Sequence, residues 1–226
     1  MRERKDNMQY KAVFFDFDYT LGDGTEAILA GFQHAFSKMG LPQPDSEAVR
    51  RTVGMPLEEE YTLLSGDASP ENRARFRVLY TEKAGPMQVE TARLCDGARE
   101  LLDALGQAGI PAGVVSTKKQ DTLLAILEAR GVAALFASIT GGDLVKHPKP
   151  DPEGLLAAIS AQGLAPEQVL YCGDTIIDAE TAQRAGAHFC AVLNGTTSAA
   201  DFAAAGFPME HVAPDLWDLK DWLGLN

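Results

Sequence analysis

Residues 10–21 read Tyr10-Lys11-Ala12-Val13-Phe14-Phe15-Asp16-Phe17-Asp18-Tyr19-Thr20-Leu21. The first part is short, aromatic and β-branched, the composition of a buried strand, expected over Tyr10–Asp16. It runs directly into a polar stretch that ends at Gly24. From Thr25 to Met39, the apolar residues Ile28, Leu29, Phe32, Ala35, Phe36 and Met39 recur at helical spacing, and Gly40 sits where a helix C-terminus favours a left-handed residue. Further helices are expected around Asp45–Thr52, Leu57–Leu64 and Pro70–Lys83, the last with Ser69 as N-cap and Pro70 at its first position.

Beyond about residue 90 the texture changes to short apolar strands alternating with helices. The expected strands are Ile110–Ser116, a weak one near Ala137–Thr140, Gln168–Cys172, Ala187–Leu193 and His211–Ala213. The helices are Asp96–Gln107, Lys119–Arg130, Pro152–Ala161, Ile177–Ala185 and a terminal one from Asp215. This alternation predicts an α/β fold, a parallel sheet covered by helices on both faces. The first strand stands apart from the array, so residues 22–90 read as a helical insertion into a domain made of 1–21 and 91–226.

The chain has 226 residues, 46% hydrophobic and 23% charged, which excludes a disordered chain and fits one domain with a smaller one inserted. Twenty Lys and Arg against 32 Asp and Glu give a net charge of -12, which argues against nucleic-acid or anionic membrane partners. No apolar run approaches the roughly 18–20 residues of a membrane span. Met1–Asn7 is polar with no apolar core, so no secretory signal is expected and the protein is read as cytoplasmic. Cys95, Cys172 and Cys190 are widely spaced and read as reduced thiols, with neither a disulfide framework nor a zinc site.

Ligands of open α/β sheets bind at the carboxyl ends of the strands. Asp16 and Asp18 follow the first strand, Ser116-Thr117-Lys118 the second, Lys146, His147 and Lys149 the third, and Gly173-Asp174 with Asp178 the fourth. Carboxylates that converge from separate segments repel unless a cation lies between them. An oxygen-only set without clustered His or Cys favours Mg²⁺, which binds a few carboxylates together with substrate phosphate. Lysines facing it would hold phosphoryl oxygens. An Asp in such a place can act as a nucleophile. Lys118 at a helix start opposes the helix dipole, which sets it apart from an ordinary surface lysine.

Asp16-Phe17-Asp18-Tyr19-Thr20-Leu21 resembles the DxDxT motif of the haloacid dehalogenase (HAD) superfamily. Ser116 and Lys118 resemble its second motif, Lys149 in His147-Pro148-Lys149-Pro150 its third, and Gly173-Asp174…Asp178 its GDxxxD motif. The order is the family's, and the resemblance spans nearly the whole chain. It implies a Rossmann-like core with a small α-helical cap, as in the phosphoglycolate phosphatase-like branch. By the same resemblance Asp16 is the nucleophile, Asp18 the general acid and base, and Lys149 the group neutralising Asp16 and phosphate. Thr20, Ser116, the Thr117 backbone and Lys118 would contact the phosphoryl group. Mg²⁺ would sit on Asp16, Asp18 (through its carbonyl) and Asp174, with Asp178 either supporting the metal or serving as a helix-turn residue.

Two positions depart from the family pattern: Tyr19 stands where Gly is common, and Gly24 where many relatives have Ser. In the cap, the turn Arg51-Thr52-Val53-Gly54-Met55-Pro56 is similar to a substrate-facing loop, with Arg51 as a contact for an anionic leaving group or, alternatively, part of an ordinary interhelix turn. Glu58-Glu59-Glu60 reads as a solvated first turn. The expected activity is a Mg²⁺-dependent phosphatase, a phosphoric monoester hydrolase working through an aspartyl-phosphate on a small phosphorylated metabolite, with phosphoglycolate as the first choice. A β-phosphoglucomutase-like phosphotransferase is the alternative. A haloacid dehalogenase is disfavoured because Asp18 is present, and a silent phosphate-binding protein because the four motifs are intact. The chain is expected to be a monomer or a homodimer.

Overall fold

The computed structural model describes residues 10–225. Met1–Asn7, the segment relevant to a secretory signal, lies outside them. The elements in chain order begin with β1 (Ala12–Phe15), β2 (Gly22–Asp23), α1 (Thr25–Met39), α2 (Ser46–Arg50), α3 (Leu57–Ser65), α4 (Pro70–Thr91) and β3 (Arg93–Leu94). They continue with α5 (Ala98–Gln107), β4 (Ala112–Val115), α6 (Gln120–Ala129), β5 (Phe136–Thr140), α7 (Glu153–Ala161) and β6 (Val169–Gly173). The chain closes through α8 (Ile176–Ala185), β7 (His188–Val192), α9 (Ala199–Ala205), β8 (His211–Ala213) and α10 (Leu216–Trp222).

Six strands form one parallel sheet in the order β5-β4-β1-β6-β7-β8. The chain leaves β1 toward one edge through β4 and β5, then returns to β6 on the other side of β1. This reversal places the ends of β1 and β6 at the crevice where such sheets take ligands. Side chains alternate across the sheet with a period of two. Val13, Phe15, Val114, Leu170 and Cys172 enter one core with α5, α6 and α10, whereas Ala12, Phe14, Val169 and Tyr171 enter the opposite core with α7 and α8. Fully burying a Phe or Leu contributes about 1.5–3 kcal/mol, so both faces are held by ordinary apolar packing. The fold is therefore the Rossmann-like α/β core expected from the sequence.

Helices α1–α4 form a helical cap with a third core of its own, built on Ile28, Phe32, Phe36, Tyr61 and Phe76, and Tyr19 joins it from the loop after β1. Tyr61 stacks on Phe76 with ring centroids 4.9 Å apart. The chain enters and leaves this layer through β2 and β3, which pair antiparallel as a separate two-stranded ribbon. Neither ribbon strand is visible in the sequence pattern, because two residues carry no periodicity.

Helix α4 runs to Thr91 rather than stopping near Lys83, although Pro86 lies inside it. Local propensity loses here to packing: Ala84 and Gln88 are buried, and Tyr80 and Ala84 press on Gly31 of α1 so closely that a Cβ there would meet them at 2.7–2.8 Å. The Arg130 guanidinium donates to the carbonyls of Val89, Glu90 and Ala92, closing the end of α4 from the core side. Ser69 takes the N-cap position, but its hydroxyl does not cap the helix. Among the described residues no helix is long and apolar enough to cross a membrane.

Candidate active site

The β1 end is shaped by a tight loop in which the amides of Thr20, Leu21 and Gly22 all donate to the Phe17 carbonyl. The Phe17 ring turns into the core against Gly22, where a Cβ would stand 2.4 Å from it, so this position needs glycine. With Phe17 inward, its neighbours Asp16 and Asp18 face the crevice; they are 2% and 8% exposed. Tyr19 adopts a left-handed backbone with φ 58°. That conformation favours glycine, which gives a physical reason for Gly at this position in relatives. Here the Tyr19 ring packs in the helical layer, its hydroxyl bonds the Thr25 hydroxyl at 2.8 Å, and the Arg50 guanidinium lies 5.7 Å over the ring.

Lys149 reaches in from the loop after β5, its side chain 5% exposed. Its ammonium lies 3.0 Å from Asp16 Oδ1 and 2.6 Å from Asp178 Oδ1, and donates to the Tyr171 hydroxyl at 3.2 Å. Burial pulls the Lys149 pKa down, but the Asp16 and Asp178 carboxylates outweigh it and hold the ammonium well above the ordinary lysine range. Burial pushes Asp16 up to about 6, against the lowering effect of Lys149 and with a further rise from Asp178. Asp174 is raised well above the usual carboxylate range, first by burial and then by Asp178 and Asp16.

Lys118 Nζ lies 3.0 Å from Asp18 Oδ2 and donates to Gln88 Oε1 of the cap at 2.9 Å. It is a buried bridge between core and cap rather than a solvated helix start. Ser116 is 4% exposed, and its hydroxyl accepts from the Lys118 amide at 3.3 Å. Thr117 lines the cavity beside it.

The structure alters the expectation for Thr20, and for Asp178 and Arg51 it fits the second of the two readings given for each. Thr20 is fully buried and its hydroxyl donates to Asp174 Oδ1 at 3.0 Å, so it aims that carboxylate instead of facing a phosphoryl group. Asp178 has both oxygens occupied, Oδ1 by Lys149 and Tyr171 and Oδ2 by the Thr175 amide and hydroxyl. It therefore positions Lys149 and caps α8. Gly173 is needed because a Cβ there would stand 2.4 Å from Asp178. Arg51 does not reach the cavity: its side chain is 72% exposed and pairs with Glu47 at 3.3 Å. It follows α2, whose register turns that position outward.

Asp16, Asp174 and Asp178 each offer an oxygen within 4.8 Å of the others, all buried. Asp16 Oδ1 lacks a well-oriented hydrogen-bond donor, and Asp174 Oδ2 makes no hydrogen bond among the described residues. This oxygen-only donor set, in which the Asp16 and Asp174 carboxyls are raised, fits a hard divalent cation. Gly195, after β7, lies so close that a Cβ would meet Asp174 Oδ2 at 2.0 Å. The sequence shows it only as a turn glycine. Gly195→Ala is expected to displace Asp174 and raise the divalent-cation concentration needed for half-maximal phosphate release by about tenfold; a metal titration checks it.

A cavity of about 400 Å³ separates the sheet edge from the cap, with Asp18, Thr117 and Lys118 on one side and Glu60, Tyr80 and Gln88 on the other. Arg77 also lines it and is paired with Glu58. Glu60 is not part of a solvated first turn: it is 7% exposed and its pKa is pushed up to about 8, chiefly by burial. The register of α3 explains this, since Glu60 and Tyr61 are the positions it buries.

A family model described as haloacid dehalogenase-like hydrolase matches residues 13–192. A haloacid dehalogenase-like hydrolase from Bacteroides fragilis has the same fold with a TM-score of 0.90 and 35% identity, covering 93% of this chain and 99% of that one. The N-acetylmuramic acid 6-phosphate phosphatase of Pseudomonas aeruginosa is 35% identical over 83% of this chain and 84% of its own length. Pyrophosphatase PpaX of Bacillus velezensis is 33% identical over 77% and 79%. A phosphoglycolate phosphatase of Rhodospirillum rubrum is 29% identical over 95% and 91%. The chain belongs to the haloacid dehalogenase-like hydrolases. Within that family it is an enzyme of the phosphatase type, a phosphoric monoester hydrolase.

Proposed function

We propose that this enzyme is a Mg²⁺-dependent phosphatase that hydrolyses a small phosphorylated metabolite through a phosphoryl group carried on Asp16. The observation that carries this is the pairing of two buried carboxylates on one bend, Asp16 with Lys149 and Asp18 with Lys118, the second pair lining the cavity. Asp16 attacks phosphorus, the bond from phosphorus to the leaving oxygen breaks, and Asp18 gives that oxygen its proton. A water then attacks the phosphorus, Asp18 takes the water's proton, and inorganic phosphate leaves with Asp16 regenerated. Lys149, Ser116, Lys118 and the Thr117 amide offset charge on the phosphoryl oxygens. Asp16, the Asp18 carbonyl and Asp174 would hold Mg²⁺, which supplies positive charge at the phosphoryl group.

Residues 22–90 act as the cap domain over the core of 1–21 and 91–226 and close on bound substrate to exclude water. Phosphoglycolate, which the resemblance suggests and which names several relatives, is one member of the substrate class. The protein works in the cytoplasm as a monomer or homodimer on a diffusible substrate. The test is release of phosphate from p-nitrophenyl phosphate: full activity with Mg²⁺, loss on adding EDTA and recovery on restoring Mg²⁺. Activity that persists in EDTA would overturn the metal assignment. Isomerisation of a glucose 1-phosphate in place of phosphate release would replace the phosphatase with the mutase alternative.

A further inference from the structure

The carboxyl of Glu60 is a buried cap group that folding alone does not explain. It lines the cavity above Asp18 and Lys118 and is 7% exposed. Among the described residues it forms no ion pair, and its one hydrogen-bond partner is the Thr52 hydroxyl, 3.0 Å from Oε2. A buried carboxyl so thinly partnered is costly, and an apolar side chain would pack there at less expense. Thr52 Oγ1 also lies 2.8 Å from the Val49 carbonyl. The Thr52 hydroxyl has a single proton, and the Val49 carbonyl can only accept. A neutral Glu60 therefore satisfies the chain by donating from Oε2 to Thr52, which in turn donates to Val49.

In that arrangement Oε1 is an acceptor, and it is equally an acceptor when Glu60 is ionised. Tyr80 lines the same wall, and its hydroxyl accepts from the Gln88 amide at 3.3 Å, leaving its own proton to be donated. The Glu60 charge raises the Tyr80 pKa further, after burial, which places the two groups in one electrostatic neighbourhood. The roof thus offers an acceptor beside a donor. A hydroxyl, which both donates and accepts, complements that pair. A carboxylate only accepts, so it finds no donor at Glu60 Oε1. Two of the cavity's cations are already engaged, Arg77 by Glu58 and Lys118 by Asp18, whereas Lys119 and Lys146 stand on the core side.

We propose that Glu60 is a specificity-determining residue that selects phosphomonoesters with neutral, hydroxyl-bearing leaving groups over those ending in a carboxylate. The inference rests on the phosphatase function proposed above and refines its substrate class. It ranks phosphoglycolate below the corresponding alcohol phosphate.

Matched substrates that differ only in CH₂OH against COO⁻ test it: glycerol 3-phosphate against 3-phosphoglycerate, and sorbitol 6-phosphate against 6-phosphogluconate. The wild type is expected to favour the alcohol member of each pair by about tenfold or more in kcat/KM, the scale on which an acceptor left unpaired discriminates between substrates. Glu60→Met keeps the approximate size of the side chain and removes the Oε1 acceptor. It is expected to shrink the preference at least about fivefold, mainly through a higher KM for the alcohol member. A wild type that treats the members of both pairs alike, or prefers the carboxylates, overturns the inference without need of any variant. So does an unchanged ratio in Glu60→Met. Failure of the wild type to hydrolyse p-nitrophenyl phosphate would instead bring down the phosphatase function, and this inference with it.

Discussion

Asp16→Asn loses Mg²⁺-dependent hydrolysis of p-nitrophenyl phosphate by about 10⁴-fold or more, the scale seen when a nucleophile is removed from an intact site, while the fold persists. The amide is nearly isosteric with the carboxylate but is a far weaker nucleophile, and it cannot carry the phosphoryl group through a normal turnover. Stability is expected to hold because the native site disfavours the Asp16 charge: its pKa rises from 3.8 to about 6 on folding, chiefly through burial. A carboxyl with a raised folded pKa contributes most to stability below its unfolded pKa, and that contribution is lost as pH climbs from about 3.8 to about 6. Replacing it with a neutral amide removes the loss. The variant should therefore melt at or above the wild-type temperature at pH 7 without added metal. Thermal melts beside phosphate-release assays check both halves. Retention of more than about a hundredth of the activity would rule out Asp16 as the nucleophile.

Lys149→Met combines the second-largest loss of activity with a large loss of stability. The Lys149 ammonium is the ion-pair partner of both Asp16 and Asp178, all three buried. Removing it leaves two carboxyls facing each other with their shared cation gone. Breaking one side of a buried pair costs about 3–5 kcal/mol, because the remaining charge is stranded away from water. Urea denaturation at pH 7 measures that cost. It should shrink as pH falls, because protonating Asp16 removes its stranded charge. Lys149→Arg is not expected to restore activity, since a planar guanidinium cannot serve the compact point at which Asp16, Asp178 and the Tyr171 hydroxyl meet. A stability change below about 1 kcal/mol would mean that the charges are not coupled as described.

The sheet was readable because each strand is short, apolar and punctuated, and because its chemistry-bearing residues stand at strand ends. Asp16, Asp18, Ser116, Lys149 and Asp174 all fall there, and the topology brings them together. What stayed hidden depends on side-chain direction. Thr20 and Asp178 were visible as polar groups near the crevice, but only coordinates show that one holds Asp174 and the other holds Lys149. Arg51 and Glu60 exchanged their expected environments. The acidic run Glu58–Glu60 has the composition of a wet helix start, and nothing in it marks the third glutamate as the buried one. The true end of α4 was obscured by Ala84-Gly85-Pro86, a local stop signal that contacts from α1 and Arg130 override. Gly195 gave no sign beyond that of a turn, since close approach to Asp174 is a long-range fact.

The ribbon of Gly22–Asp23 and Arg93–Leu94 has an architectural consequence. The two ends of the helical layer leave the core side by side, held by a four-residue ladder, so the host sheet registers the insertion as no longer than a hairpin turn. The roof is in that sense a replaceable part with a standard fitting. Exchanging everything between Asp23 and Arg93 would leave the proposed reacting groups Asp16, Asp18, Lys149 and Asp174 in place while changing what they are offered. Chimeras cut at this ladder, not at the helix ends, are the natural way to give the same chemistry a new diet.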